Sequence, residues 1–309
     1  MTEPPGATFV LIGHPVGHSL SPAIHRAAYH ELGLAEHRYV AVDCPDEAAV
    51  VAQLGALRRG DVSGANVTVP WKRLALECAD EVHPSAAATG AANVLSPTGS
   101  NGACRLVAHN TDVPALAAEL GRGRPGARTA TVIGNGGAAL AAVVACRALG
   151  VEQITVVARR FRGRDPSSWP GAEALTARGA TLVAWPDDAD AKRPSLFRER
   201  VVASDIVVQS TTDGMSGATD GTTVRDLVPF HELARGAFAY DVVYNPEITP
   251  FIAAARAAGV SAESGLGMLV GQAALAIELW LGKKPDEARL RSAAEAALAD
   301  REKKKPERG

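Results

Sequence analysis

The sequence predicts an α/β protein of two domains, and three observations carry the prediction. Apolar runs rich in β-branched residues alternate with Ala-rich stretches of helical period, the pattern of βαβ units and mostly parallel sheets. A glycine turn, Gly134-Asn135-Gly136-Gly137-Ala138, stands between a strand-like run and a helix-like run. The length, 309 residues, matches about two average domains, and 47% hydrophobic residues can fill a core in each.

Strands are expected at residues 8–12, 37–42, 64–67, 105–108, 130–133, 153–157, 181–184, 205–209, 237–242 and 260–262, with helices between them. The clearest helix starts are Ser21-Pro22, a capping serine followed by proline at the first helical position, and Asp112-Val113-Pro114, which follows the same logic. Both mark loop-to-helix junctions, where side chains can face a site. The segment 121–129, GRGRPGART, precedes the most regular βαβ unit and reads as a domain boundary. Polar stretches from Arg162 to Trp169 and from Pro186 to Arg200 are expected as surface loops around one short helix and strand. Residues 301–309 read as a charged tail with little to bury, and no internal repeat is evident.

Composition narrows the function. With 32 Lys and Arg against 34 Asp and Glu, the net charge is −2, which excludes a broad basic surface for nucleic acid. Aromatic content of 5% argues against stacking platforms for single strands. No apolar run approaches the roughly 20 residues needed to span a bilayer, and the opening MTEPPGATFVLIG has no basic segment before its apolar stretch. The expectation is a soluble, cytoplasmic protein without a membrane partner. Cys44, Cys78, Cys104 and Cys146 form no CxxC pair and have no His at zinc-ligand spacing, so four free thiols and no metal are expected.

Thr131-Val132-Ile133 runs into the glycine turn and then into Leu140 to Leu149, giving strand, turn and helix in the order of a dinucleotide fingerprint, GxGxxA. In a Rossmann-type fold Gly134 makes the tight turn and Gly136 lets the backbone approach a pyrophosphate. A small third residue lets helix and strand pack closely, and free N–H groups at the helix start meet the phosphates. Gly134, Asn135, Gly136, Gly137 and Ala138 are therefore cofactor candidates, with a plain structural turn as the alternative. The next strand ends at Ala158 with Arg159-Arg160 and no acidic residue. Arginine there suits a 2′-phosphate, so the cofactor reads as NADP, with Arg159 and Arg160 as phosphate partners; a solvated basic loop is the alternative.

Polar residues also recur in clusters that periodicity does not explain: Ser19 and Ser21, Asn66 and Thr68, Lys72, Asn93, Asn110 and Asp112, then Tyr244 and Gln272. Several lie at strand ends or helix starts, from which an open α/β sheet presents a site. Singly, each has a plain reading: Ser21 caps a helix, Asn93 stabilises a turn, and Lys72 is exposed or in a structural ion pair with Asp112.

Together they resemble shikimate dehydrogenase, from about residue 9 to residue 285. The residues that carry the resemblance are GHPVGHSLSPAIH at 13–25, GANVTVPWK at 64–72, GAAN at 90–93, Asn110-Thr111-Asp112, DVVYNP at 241–246 and GLGMLVGQ at 265–272, with the glycine turn as a seventh motif. The chain departs from the family's usual residues at Arg26, Ala108, Asn135, around Arg159, and at Gln209.

The resemblance implies NADPH-dependent, reversible reduction of 3-dehydroshikimate to shikimate. It implies an open, mostly parallel substrate domain over residues 1–112, completed by 245–300, and a Rossmann-type NADP domain over 113–244. Lys72 would be the general acid and base and Asp112 its partner. Ser19, Ser21 and Tyr244 would bind the carboxylate, and Asn66, Thr68, Asn93, Asp112 and Gln272 the ring hydroxyls. Thr211, Gly265 and Met268 would join the cofactor residues. The expected state is a monomer or homodimer.

Rival readings are quinate or an aminated shikimate analogue as substrate, a non-catalytic NADP or shikimate-binding sensor, and a folate-linked dehydrogenase. Serine at both 19 and 21 leans towards shikimate. The presence of Lys72 and Asp112 leans away from the sensor.

Overall fold

The structure, a computed structural model, describes residues 6–99, 104–186 and 195–303. Residues 304–309 of the expected tail and 187–194 of the second expected loop lie outside the described residues. The first elements are β1 (Thr8–Gly13), α1 (Ser21–Glu31), β2 (Arg38–Asp43), α2 (Glu47–Arg59), β3 (Gly64–Val67) and α3 (Lys72–Glu77). They are followed by β4 (Glu81–Val82), α4 (Pro84–Ala87), β5 (Val94–Thr98), β6 (Arg105–His109) and α5 (Asp112–Gly123). Next come β7 (Thr129–Ile133), α6 (Gly137–Ala148), β8 (Gln153–Val157), α7 (Ala172–Thr176), β9 (Ala180–Val183), α8 (Leu196–Val202) and β10 (Ile206–Gln209). The chain ends with α9 (Thr222–Leu227), β11 (Phe238–Asp241), α10 (Pro250–Ala257), β12 (Ser261–Ser264), α11 (Leu266–Leu281) and α12 (Glu287–Lys303).

Two compact units result, one of residues 1–112 and 269–309, the other of residues 113–268. The Gly, Pro and Arg segment 121–129 is not the crossing point: it joins α5 to β7 inside the second unit. The return also falls later than residue 245. β12 pairs in parallel with β11, and α10 packs on both, so residues 245–264 complete the second unit's sheet layer.

The first unit holds a sheet ordered β2-β1-β3-β5-β6-β4, parallel except for β5, which runs antiparallel to both β3 and β6. β4 and β5 escape the sequence pattern. β4 has two residues, and β5 reads Val-Leu-Ser-Pro-Thr, with a proline that breaks both alternation and apolar run. Its core gathers Val10, Ile12, Leu54, Leu57, Val67, Leu95 and Leu106.

The second unit holds a wholly parallel sheet ordered β12-β11-β10-β7-β8-β9. Counting its strands from β7, the order is 3-2-1-4-5-6, that of a doubly wound dinucleotide-binding sheet. Both faces of the inner strands β7, β8, β10 and β11 are buried, and successive side chains alternate between two cores: Val132, Val156, Val208 and Tyr240 enter one, and Ile133, Val157, Val207 and Ala239 the other. A sheet covered on both faces needs unbroken apolar strands, which is why these strands are so plain in the sequence. No helix among the described residues is long and apolar enough to cross a membrane.

Candidate active site

Five of the proposed residues meet directly in the first unit. Lys72 opens α3, and its Nζ donates to Asp112 Oδ2 at 2.7 Å. Asn93, just ahead of β5, donates from Nδ2 to Asp112 Oδ1 at 2.9 Å and to Gln272 Oε1 at 3.4 Å. Asn66, in β3, donates from Nδ2 to the backbone carbonyl of Asn93 at 3.2 Å. Each oxygen of the Asp112 carboxylate thus has one named donor. The Lys72 ammonium keeps two further N–H bonds beyond the one given to Asp112.

The backbone around these groups is held at every turn. Lys72 C=O accepts the N–H of Ala92 at 2.9 Å, tying α3 to the segment that carries Asn93. Asn93 Oδ1 accepts the N–H of Thr111 at 2.7 Å, and Thr111 Oγ1 donates to the C=O of Gln272 at 3.1 Å. Asn110 Oδ1 accepts the N–H of Asp112, and Asn110 Nδ2 donates to Thr89 Oγ1 and Ala91 O, each at 3.0 Å. Asn93 is 2% exposed and Asp112 9%, so these bonds are sheltered from water, while the Lys72 side chain retains 30% of its surface. An ion pair this open is held in place more by its neighbours than by its own attraction.

Ser19 and Ser21 lie at the junction of β1 and α1, though not as expected. Ser21 does not cap the helix: Leu20 holds the cap position, and Ser19 Oγ accepts the N–H of Ser21 at 3.2 Å. Ser21 is the first helical residue, and its hydroxyl is released from capping. Likewise Asp112 is the first residue of α5, with its carboxylate turned to Lys72 and Asn93. Tyr39, on β2, links Ser21 to the network: its hydroxyl donates to Asn66 Oδ1 at 2.7 Å, with the Ser21 hydroxyl as a second polar neighbour. Thr68 follows β3, half-buried, and its N–H bonds to Ile12 O at 2.9 Å.

Beneath Tyr39 lies His25, fully buried, with its ring stacked on the phenol at a centroid distance of 3.7 Å. Burial alone pushes His25 down to about 3, so the ring is neutral. The same burial pushes the Tyr39 phenol well up, and Tyr39 acts as a neutral donor.

In the second unit the glycine turn lies at the C-terminal end of β7, where the sheet order reverses, the usual dinucleotide crevice. Gly134 has φ +130°, and a Cβ there would stand 2.4 Å from Ser210 Oγ, so only glycine fits between β7 and the residues after β10. At Gly136 and Gly137 a Cβ would meet nothing within 4 Å. Gly136 caps α6 with no side-chain partner for the first N–H groups, and the buried Asn135 Nδ2 has no hydrogen-bond partner. Unfilled space, a helix start without a side-chain cap and an orphaned amide fit an anionic group of a dinucleotide.

Arg159 and Arg160 form a short 3-10 turn directly after β8, with exposed side chains. Gln209, the departure at the end of β10, is fully buried and folds onto its own loop, donating to Asp213 O at 2.9 Å and accepting the N–H of Thr211. Tyr244 lies half-buried on the loop after β11. That loop is closed by Asp241, whose carboxylate accepts from Val243 N–H at 2.9 Å and the Thr249 hydroxyl at 2.6 Å. Desolvation pushes Asp241 up to about 7, against the pull of those two bonds. Gly265 has a packing reason for being glycine, since a Cβ would fall 2.1 Å from Val242 O, and Met268 is half-buried against the second unit's core. Among the described residues, no group of three or more His, Cys, Asp and Glu side chains is placed to hold a metal.

Comparison with known proteins gives the chain's family. The shikimate dehydrogenase substrate binding domain matches residues 11–95, and the shikimate 5′-dehydrogenase C-terminal domain matches residues 265–295. A shikimate dehydrogenase (NADP(+)) of Geobacter sulfurreducens is 36% identical over 95% of this chain and 98% of its own. The shikimate 5-dehydrogenase of Thermus thermophilus, solved with NADP(H) and shikimate, is 34% identical with a TM-score of 0.75, over 94% of this chain and 100% of its own. A quinate dehydrogenase of Corynebacterium glutamicum, solved with NAD, is 27% identical with a TM-score of 0.78, over 94% of this chain and 99% of its own. The chain belongs to the shikimate dehydrogenase family.

Proposed function

We propose that this protein catalyses the reversible, NADPH-dependent reduction of 3-dehydroshikimate to shikimate, with Lys72 as general acid in reduction and general base in oxidation. The observation that carries the assignment is the Lys72 ammonium held at 2.7 Å on Asp112, itself fixed by Asn93 and Asn110. Bound NADPH supplies the hydride to the ketone carbon. As charge develops on the ketone oxygen, Lys72 stabilises it and gives up a proton from one of its two remaining N–H bonds. In oxidation Lys72 takes that proton back from the hydroxyl. Asp112 keeps the Lys72 side chain in place in both directions, as the ammonium that gives the proton and as the amine that takes it back.

Ser19 and Ser21 serve the substrate carboxylate, and Tyr244 is assigned to it by the family resemblance. Asn66, Thr68, Gln272 and Asp112 serve ring hydroxyls, as does Asn93 from amide hydrogens it shares with Asp112. Gly134 to Ala138 would hold the pyrophosphate at the start of α6, Arg159 and Arg160 the 2′-phosphate, and Thr211, Gly265 and Met268 the remainder of the cofactor. The protein acts in the cytoplasm as a monomer or homodimer.

The quinate reading is kept by the structural likeness to a quinate dehydrogenase, and one experiment separates the two. Absorbance at 340 nm is followed with shikimate or quinate and with NADP or NAD, for the wild type and for Lys72→Ala. The expected result is turnover of shikimate with NADP, with kcat lower by about 10²- to 10⁴-fold in the variant. Turnover of quinate alone, or with NAD alone, overturns the substrate or the Arg159 assignment. An unchanged kcat in Lys72→Ala overturns the lysine's role.

A further inference from the structure

The last helix ends on the loop that carries the paired serines. Along α12 the buried residues Leu290, Ala294 and Leu298 fall at intervals of one helical turn, and Arg301, three residues on, continues the same face. This face packs along α1, and both ends of the contact are tied. At the start of α12 the N–H of Asp286 donates to the Glu31 carboxylate at the end of α1, at 3.0 Å. At the other end the Arg301 guanidinium forks over the turn before α1, Nη1 donating to His18 O at 2.5 Å and Nη2 to Ser19 O at 2.7 Å. Arg301 was expected in a free charged tail; it is a clasp instead.

Resting on the reading that Ser19 and Ser21 receive the substrate carboxylate, we propose that Arg301 is a positioning residue for that carboxylate. A backbone turn that binds an anion must present donors and turn its acceptors away. The carbonyls of His18 and Ser19 would repel a carboxylate, and the guanidinium engages both at once with its planar pair of donors. Ser19 Oγ already accepts the N–H of Ser21, so its own O–H is left as a donor. The clasp therefore fixes the turn in the state in which the Ser19 hydroxyl is left to donate, with the Ser21 hydroxyl beside Tyr39, and brings a positive charge close to both. Lysine at 301 would supply the charge without the fork.

The test is steady-state kinetics on the full chain for Arg301→Met, Arg301→Lys, Ser19→Ala and the Ser19→Ala/Arg301→Met pair, with shikimate and with its methyl ester, alongside Tm. Arg301→Met is expected to raise KM for shikimate roughly tenfold, with kcat and KM for NADP held within about twofold. The preference for the free acid over the ester falls with it, Tm stays within a few degrees, Arg301→Lys recovers part of the loss, and the pair is no worse than Ser19→Ala alone. If Ser19→Ala raises KM for shikimate while Arg301→Met leaves KM and the acid preference unchanged, the clasp is overturned and the serine reading stands. If Ser19→Ala itself leaves KM and acid preference unchanged, the serine reading falls and takes the clasp with it. A fall in Tm, with kcat and both KM values moving together in Arg301→Met and Arg301→Lys alike, assigns Arg301 to stability and overturns the proposal.

Discussion

At the scale of single residues, the site depends on side chains that accept and donate to one another over long sequence distances, and Tyr39 is the sharpest case. Its hydroxyl donates to Asn66 Oδ1, which is otherwise a buried acceptor, while its ring lies on the neutral His25. Tyr39→Phe keeps the stack and removes the donor. The expected outcome is a stability loss of about 1–3 kcal/mol in urea unfolding, from the unsatisfied Asn66 oxygen, together with a higher KM for shikimate as Asn66 and Ser21 lose their link. An unchanged KM would show that the link does not serve the substrate. Lys72, Asn93 and Asp112 were legible because each sits in a polar motif at an element start. Tyr39 was not, because it lies inside a β-branched strand pattern where a tyrosine is ordinary. Asn110 stood out in the sequence as a clustered polar residue and Thr111 only as part of the Asn-Thr-Asp motif; their bonds to Asn93, Gln272 and Thr89 join segments that no spacing rule connects.

At the scale of elements, the glycine turn shows how one motif contains residues held for different reasons. Gly134 is needed by the fold, because its positive φ and the close approach of Ser210 leave no space for a side chain. Gly136 is not: its φ is −89° and a Cβ there would meet open space. Gly136→Ala is therefore expected to leave Tm nearly unchanged and to raise KM for NADP by roughly tenfold, because the added methyl occupies the approach to the helix-start donors. Gly134→Ala is expected to lower Tm. Equal KM for NADP in Gly136→Ala and wild type would place the pyrophosphate elsewhere. The apolar runs of the second unit's inner strands β7, β8, β10 and β11 made them readable, whereas the edge strands β9 and β12 are part polar. In the first unit β4 was too short and β5 too broken to register, yet β5 is what brings Asn93 beside Asn66.

At the scale of the whole molecule, composition misplaced both a loop and the passage between units: the expected loop 186–200 ends in α8, which buries Phe197. The Gly, Pro and Arg segment 121–129 looked like a boundary because it is polar and breaks helices, but a connection between α5 and β7 needs the same residues. The two units also carry buried titrating groups of opposite sign. His25, in the first unit, is lowered from its ordinary 6.5 to about 3 by burial. Its unfolded form binds protons that the folded form refuses, so its contribution is full above about pH 6.5 and is lost as pH falls towards about 3. Asp241, in the second unit, is raised from 3.8 to about 7, with desolvation first and the nearby Asp213 charge adding to it. Here the folded form binds the proton more tightly, so stability is present below about pH 4 and is lost as pH rises through about 7. His25→Phe keeps the ring stack and removes the first dependence; Asp241→Asn keeps an acceptor for Val243 and a partner for Thr249 and removes the second. Measured as Tm of variant minus wild type, the difference for His25→Phe should fall as pH rises from 4 to 6.5, and that for Asp241→Asn should rise from 4 to 7. Differences that run in the same direction would mean that one of the two groups does not titrate as its burial requires.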